Sequence, residues 1–267
     1  AEDLQGPGPR LVGVGAVSDL PPITIVATTW LPPGKDGHKR LRAVNDAVAS
    51  WRRLLYREGL HLHIADDGTG PEHQSDLMRC LRLATAGSDI HLPITWSQQQ
   101  RHGVGASLNT GLAAAFERSP LVFHAVDDWR LTDWFNLEPW AALLIENPSI
   151  GMIRFFPHPD LTGRVKMFDQ GWGLLLDRHH YVFATRPFLA HRRFFDAFGP
   201  FLEDANAYEV ERDYNERFCA SVSWPATPDI LLALPERWEP IESVELAGVD
   251  PRIEYKYGSQ TGHSWES

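Results

Sequence analysis

The chain has 267 residues, 43 % of them hydrophobic and 11 % aromatic, ten of these tryptophan, with a formal net charge of −10. That supports one large domain or two small ones with a sizeable core, and the acidic balance argues against passive coating of nucleic acid while leaving room for a local basic groove. Cys80 and Cys219 lie far apart without C-x-x-C spacing, which argues against a disulfide framework or a zinc knuckle, and no run approaches the ~20 apolar residues of a membrane span.

Residues 1–22 are rich in Gly and Pro and read as an arm. Ile23 to Trp30 is a continuous β-branched, apolar run, the pattern of a strand buried on both faces. After a loop over Leu31 to Gly37, a helix is expected from His38 to Tyr56, with Leu41, Val44, Val48, Trp51 and Leu55 at helical spacing. A second strand, Leu60 to Ala65, ends in Asp66-Asp67-Gly68-Thr69. Its His61 and His63 share one face as packing residues. A helix over Gln74 to Thr85 and a third strand over Ile90 to Trp96 follow. Gly103 to Gly111 reads as a small-residue loop opening a helix that runs to Arg118. Leu121 to Val126 is then a strand that delivers Asp127 and Asp128 to its end. Beyond it come strands at Ile150 to Phe156, Val165 to Phe168 and Gly173 to Leu176. Helices near His191 to Phe198 and Tyr208 to Ala220 complete the pattern, and the tail after Pro235 lacks periodicity.

Strand and helix alternate through the first 130 residues, which predicts a largely parallel sheet covered by helices on both faces. Ligands of such sheets bind beyond the carboxyl ends of the strands. Thr28 and Thr29, Asp66 and Asp67, and Asp127 and Asp128 all lie at such ends. Any one pair reads equally well as a turn; three together point to one crevice. Adjacent carboxylates repel unless a cation sits by them. Mg²⁺ or Mn²⁺ fits, since hard ions take oxygen ligands and bridge carboxylates to substrate phosphates.

The order of these motifs resembles the GT-A glycosyltransferases, especially the nucleotide-sugar-dependent family 2 group. The residues that carry the resemblance are the strand Ile23 to Thr29, the Asp66-Asp67-Gly68-Thr69 turn, the Gly103 to Gly111 segment with Asn109, and Asp127-Asp128 in the place of a DxD motif. The match covers roughly residues 22 to 220. It implies an α/β GT-A (Rossmann-like) fold, a mostly parallel sheet flanked by helices. Within one domain, an arm (1–22) would precede a nucleotide-sugar-binding half (23–130), an acceptor-binding half (131–235) and a tail folding back on the site (236–267).

The resemblance also implies roles. Thr28, Thr29, Asp66 and Asp67 would hold the nucleobase and ribose, a carboxylate facing the imide N–H of uracil, which favours UDP donors. Gly103 to Asn109 would pass the ribose and pyrophosphate. Asp127 would lie near the ribose or metal, and Asp128 would ligate Mn²⁺ or Mg²⁺. His263 would return from the tail to complete the metal shell, with an ordinary terminal position as the alternative. The family often carries Arg before the Asn; here Leu108 stands there, and Arg101 is the candidate replacement. Trp129 stands where many members have a third carboxylate.

In the second half Gly199-Pro200-Phe201-Leu202-Glu203 fits G-x-F-x-E. Glu211-Arg212-Asp213 with Arg217 fits the family's acidic motif, with Val210 in place of its first Glu. On that alignment Glu211 is the general base of an inverting transfer, accepting the acceptor hydroxyl's proton, with Asp213 beside it. The alternative for both is a charged helix face. Gly171-Trp172-Gly173 reads as core, or as a platform under a sugar. Arg186, His191, Arg192 and Arg193 read as a solvated helix face, or as a phosphate contact.

The expected activity is therefore a metal-dependent transfer of a sugar, a hexose, from a nucleotide-sugar co-substrate to a hydroxyl-type acceptor, in a cytoplasmic protein. The acceptor could be a small molecule, glycan, protein or modified nucleic-acid base. The alternatives are a sugar-phosphate nucleotidyltransferase, which would carry a Gly-rich loop straight after the first strand, and a non-catalytic nucleotide-sugar-binding protein.

Overall fold

The computed structural model describes residues 19–85, 92–100, 102–155, 165–168, 172–175, 183–221, 229–233 and 238–240. In chain order the elements of the first half are β1 (Ile23–Thr29), α1 (Lys35–Trp51), β2 (Leu54–Leu55), β3 (Leu60–Asp66), α2 (Pro71–Thr85), β4 (Ile94–Gln98), α3 (Gly103–Phe116) and β5 (Leu121–Val126). They are followed by β6 (Trp129–Leu131), β7 (Phe135–Asn136), α4 (Glu138–Glu146), β8 (Ile150–Arg154), β9 (Val165–Phe168) and β10 (Trp172–Leu175). The last are β11 (Phe188–His191), α5 (Arg192–Phe198), α6 (Ala207–Ala220), β12 (Asp229–Ala233) and β13 (Trp238–Pro240).

A nine-stranded sheet runs in the order β4-β3-β1-β5-β11-β8-β12-β10-β9. β4, β3, β1 and β5 are parallel. β11 runs antiparallel between β5 and β8. The chain steps outward from β1 to β3 and β4, then returns to lay β5 on the other side of β1. The carboxyl ends of β1, β3 and β5 thus form the switch point at which open α/β sheets leave a crevice.

Alternation along the strands sorts side chains into two cores. Ile23, Ile25 and Ala27 of β1, Leu60, Leu62 and Ile64 of β3, and Leu121, Phe123 and Ala125 of β5 pack with Val44, Val48 and Trp51 of α1, Leu77 and Leu81 of α2, and α4. Val26 and Val122 face the other way, against Leu108 and Leu112 of α3 and an aromatic group including Phe188, Phe194, Phe198, Tyr214 and Phe218. Each such fully buried aliphatic or phenyl side chain contributes ~1.5–3 kcal/mol. β1, β3 and β5 are thus almost wholly buried on both faces, as central parallel strands are, whereas the edge strand β4 is only half-buried. His61 and His63 do share a face, hydrogen-bonding Thr95 and Ser97 of β4.

Two expectations are corrected. The first helix ends at Trp51 rather than Tyr56, and Leu54–Leu55 forms β2, with Leu55 exposed. Gly103 to Gly111 is not a loop but the first turns of α3. Its glycines serve close packing: a Cβ on Gly105 would lie 1.9 Å from the Leu202 carbonyl oxygen, and one on Gly111 2.6 Å from Val26 Cγ1. No helix among the described residues is long and apolar enough to cross a membrane.

Candidate active site

The sheet register fixes what meets at the switch point. Thr29 pairs with Asp66, and Thr28 with Val126, so Asp127 follows at the level of Thr29. By alternation, Thr29, Asp66 and Asp127 continue the faces of Ala27, Ile64 and Ala125, towards α1 and α2, whereas Thr28 continues the face of Val26.

Asp66 is fully buried and builds the turn. It accepts from the Thr69 amide (3.1 Å) and hydroxyl (2.5 Å) and from Gln98 Nε2 (3.0 Å). Thr69 Oγ1 in turn accepts from the Leu31 amide at 3.0 Å. This network ties the exits of β1, β3 and β4 together. Burial pushes the Asp66 carboxyl upward, against the bonds from Thr69 and Gln98.

Asp67 points to α3. Its carboxylate accepts from the amides of His102 (2.9 Å) and Gly103 (3.0 Å), at the N-terminus of that helix, where unpaired N–H groups favour an anion. Gly103 has a φ of 86° and its Cβ would meet the Ala205 carbonyl oxygen at 2.6 Å, so only glycine fits there. Asn109 lies one turn and a half further along α3 and is engaged elsewhere. Its Oδ1 accepts from the Phe201 amide (2.8 Å), and its Nδ2 donates to the Phe201 carbonyl (3.0 Å) and Glu203 Oε1 (2.9 Å). The Asn109 and G-x-F-x-E motifs therefore hold one another, joining α3 to the segment between α5 and α6.

Asp127 is 4 % exposed, and its Oδ1 accepts from Arg40 Nη2 of α1 at 2.8 Å. Burial works against the Arg40 charge, but the fields of Asp127 and Asp128 outweigh it and hold the guanidinium more firmly protonated. Burial and the like charge of Asp127 push the Asp128 carboxyl up to about 6, against the opposing fields of Arg40 and Arg186. Arg186 lies 5.5 Å over the Trp129 ring. Asp127 Oδ2, Asp128 Oδ1 and Thr29 Oγ1 are buried oxygens without a protein hydrogen-bond partner. Such orphans at adjoining strand ends are costly unless something else binds them.

Glu211 of α6 is buried and accepts at Oε1 from the Thr185 amide (2.7 Å) and hydroxyl (2.8 Å). The Thr185 carbonyl contacts His124 Nε2 of β5 at 3.3 Å. Glu211 thereby fixes the residue next to Arg186, whose charge acts on Asp128. Asp213 is not brought there. Two residues along a helix project to opposite sides, and Asp213 pairs instead with Arg217, which also donates to the Phe198 and Pro200 carbonyls. Of Arg186, His191, Arg192 and Arg193, Arg186 turns to the site: Arg193 donates to carbonyls after α4 (Ile150, 2.8 Å), Arg192 pairs with Asp196, and His191 caps α5. Arg101, His263 and the Trp172 side chain lie outside the described residues.

The helical pattern places Arg40 with Arg42, Arg52 and Arg53 on the face opposite the apolar stripe; the structure instead sets it between Gly37 and Val44 on the buried stripe of α1, a position where a charge needs a partner. Gln98 and Gln99 were missed; they stand at the exit of β4, and Gln99 Nε2 donates to Ser107 Oγ at 3.0 Å. The oxygens of Asp127 and Asp128 suit a hard divalent ion, which would relieve both orphans. Among the described residues no group of three or more His, Cys, Asp or Glu is placed to hold a metal, so any ion here would draw its remaining ligands from substrate, water or elsewhere in the chain.

No protein-family model matches the chain, and no curated protein matches its sequence. Solved structures do. TarS 1-349 of S. aureus superposes with a TM-score of 0.55 at 12 % identity, covering 81 % of this chain and 59 % of that one. TarS in complex with UDP-GlcNAc gives 0.55 at 14 % identity, covering 88 % and 63 %. GalNAc-T7 with UDP, GalNAc and Mn²⁺ gives 0.51 at 12 % identity, covering 81 % and 43 %. This chain thus spans about six tenths of the TarS structures it matches. It has a GT-A-like fold.

Proposed function

We propose that this chain is a glycosyltransferase that moves a sugar, a hexose, from a UDP-linked donor to a hydroxyl-type acceptor, with Mn²⁺ or Mg²⁺ bound. The observation that carries the reading is the set of orphaned, buried oxygens of Thr29, Asp127 and Asp128 at the switch point of a GT-A-like fold. The complexes of TarS with UDP-GlcNAc and of GalNAc-T7 with UDP, GalNAc and Mn²⁺ support it.

In this reading Asp128 and Asp127 hold the ion, joined by His263 from the tail. When bound, the ion supplies Lewis-acid stabilisation of the departing diphosphate. Thr28 and Asp67 receive the ribose and uracil at the mouth of the crevice. Glu211 accepts the proton of the acceptor hydroxyl as that oxygen attacks the anomeric carbon, which inverts its configuration. Thr185 orients the Glu211 carboxylate for this task. Asp213 serves the seating of α6 rather than the reaction.

The test is release of UDP from UDP-GlcNAc and UDP-glucose with Mn²⁺, for wild type and Asp128→Asn. Metal-dependent turnover that disappears in the variant is the expected result. Equal turnover in both, or none with any nucleotide sugar, contradicts the reading. Proton NMR of the product anomer tests inversion.

A further inference from the structure

The candidate site already contains a cation of its own. Arg40 reaches from the buried stripe of α1 to Asp127 Oδ1 at 2.8 Å, with its side chain 21 % exposed against 4 % for its partner. Its field also falls on Asp128. The helix that carries it is seated closely, because a Cβ on Gly37 would lie 2.2 Å from both His73 Nε2 and the Pro32 carbonyl oxygen. His73 Nε2 in turn contacts the Gly34 carbonyl at 3.1 Å. Arg40 is therefore a fixed charge rather than a mobile surface cation.

A fixed guanidinium beside two carboxylates changes what a divalent ion meets. One of the two negative charges is neutralised, and one oxygen of Asp127 is occupied. An incoming ion also feels direct repulsion from Arg40 in a partly buried setting, where screening is weak. A nucleoside diphosphate brings the missing negative charge and further oxygen ligands.

We propose that Arg40 makes the metal site conditional, so that a divalent ion binds weakly alone and firmly only together with a nucleoside diphosphate. This rests on the reading of Asp127 and Asp128 as ion ligands. By linkage, ion and nucleotide then raise each other's affinity by one common factor. Arg40 acts through Asp127 and the local field, as a positioning and charge-setting residue.

The experiment is titration of Mn²⁺, followed by the electron paramagnetic resonance of the free ion, with and without UDP. It compares wild type, Arg40→Gln, Arg40→Lys and Asp128→Asn. Without UDP, Arg40→Gln should bind Mn²⁺ about tenfold more tightly than wild type, the order expected for removing one unit charge from a partly buried site. The enhancement that UDP gives should shrink by a similar factor. Arg40→Lys, which keeps the charge, should stay near wild type. Circular dichroism establishes that each variant is folded, and Arg40→Met carries the same measurement if Arg40→Gln is not. If neutral variants bind Mn²⁺ no better than wild type, while Asp128-dependent binding of Mn²⁺ with UDP persists, the role of Arg40 is overturned and the functional reading stands. If wild type binds no Mn²⁺ with or without UDP, as Asp128→Asn does, both fall.

Discussion

Arg40 of α1 and Asp127 at the end of β5, 87 residues apart in the chain, meet at 2.8 Å and close the α1 side of the crevice. Neither charge would tolerate that degree of burial alone. Arg40→Ala should therefore cost about 3 kcal/mol of stability, the usual penalty for leaving one member of a buried pair. Asp127→Asn in the same chain should restore most of it. Urea unfolding of the two single variants and the double variant measures this coupling; additive losses would contradict it.

The paired aspartates of β3 divide their labour. Asp66→Ala strands the Thr69 and Gln98 donors, and should cost roughly 2–3 kcal/mol while leaving UDP affinity of the folded protein close to wild type. Asp67→Ala removes a helix N-terminal cap and a long bond from Gln99 (3.3 Å), about 1 kcal/mol, yet should weaken UDP binding about tenfold, as loss of a charge-assisted contact does. Thermal melts and UDP titration of both variants separate the two roles; a reversed pattern would exchange them.

Glu211 offers a sharper separation. The Gln carbonyl oxygen can accept both Thr185 bonds, so Glu211→Gln should keep the wild-type unfolding midpoint. It cannot take up a proton at neutral pH, so turnover should fall at least ~100-fold. Turnover close to wild type would leave Glu211 as a support for Thr185 only.

Acid should weaken the fold through His124. Burial pulls its imidazole down to about 4, against its contacts with the Thr185 and Val26 carbonyls, whereas in the unfolded chain it titrates near 6.5. Its contribution is thus complete above about pH 6.5 and is lost as pH falls towards 4, by roughly 3 kcal/mol in all. His124→Asn should flatten the fall of unfolding free energy across this window. Some slope should remain from His191, also held down to about 4 by burial and Arg193. An unchanged slope would contradict the assignment.

What the sequence revealed, and what it hid, follows from how local each signal is. The strands ending at Thr29, Asp66 and Val126 announce themselves as apolar runs, because both faces of a parallel strand are buried. The three polar exits were legible for the same reason. The Gly103–Gly111 segment was misread because glycine signals a loop locally, whereas here Gly105 and Gly111 admit the Leu202 carbonyl and Val26. Gly105→Ala should accordingly destabilise by about 1–3 kcal/mol through overpacking, measurable by thermal unfolding; a neutral effect would argue against that contact. The insertion of β11 between β5 and β8 and the meeting of Thr185 with Glu211 are set by tertiary pairing, for which no local pattern exists. Arg40 was misplaced on the solvent face because a charge reads locally as exposed, whereas here its partner Asp127 is 87 residues away.

The central claim is that Asp127 and Asp128 form a donor site that requires a divalent ion. Calorimetric titration of UDP, UDP-glucose and GDP, with and without Mn²⁺, into wild type and Asp128→Ala tests it most directly. The account predicts Mn²⁺-dependent binding of the uridine ligands that vanishes in the variant. Binding that persists in Asp128→Ala, or no binding under any condition, would make the strand-end aspartates structural and leave the likeness to glycosyltransferases one of fold alone.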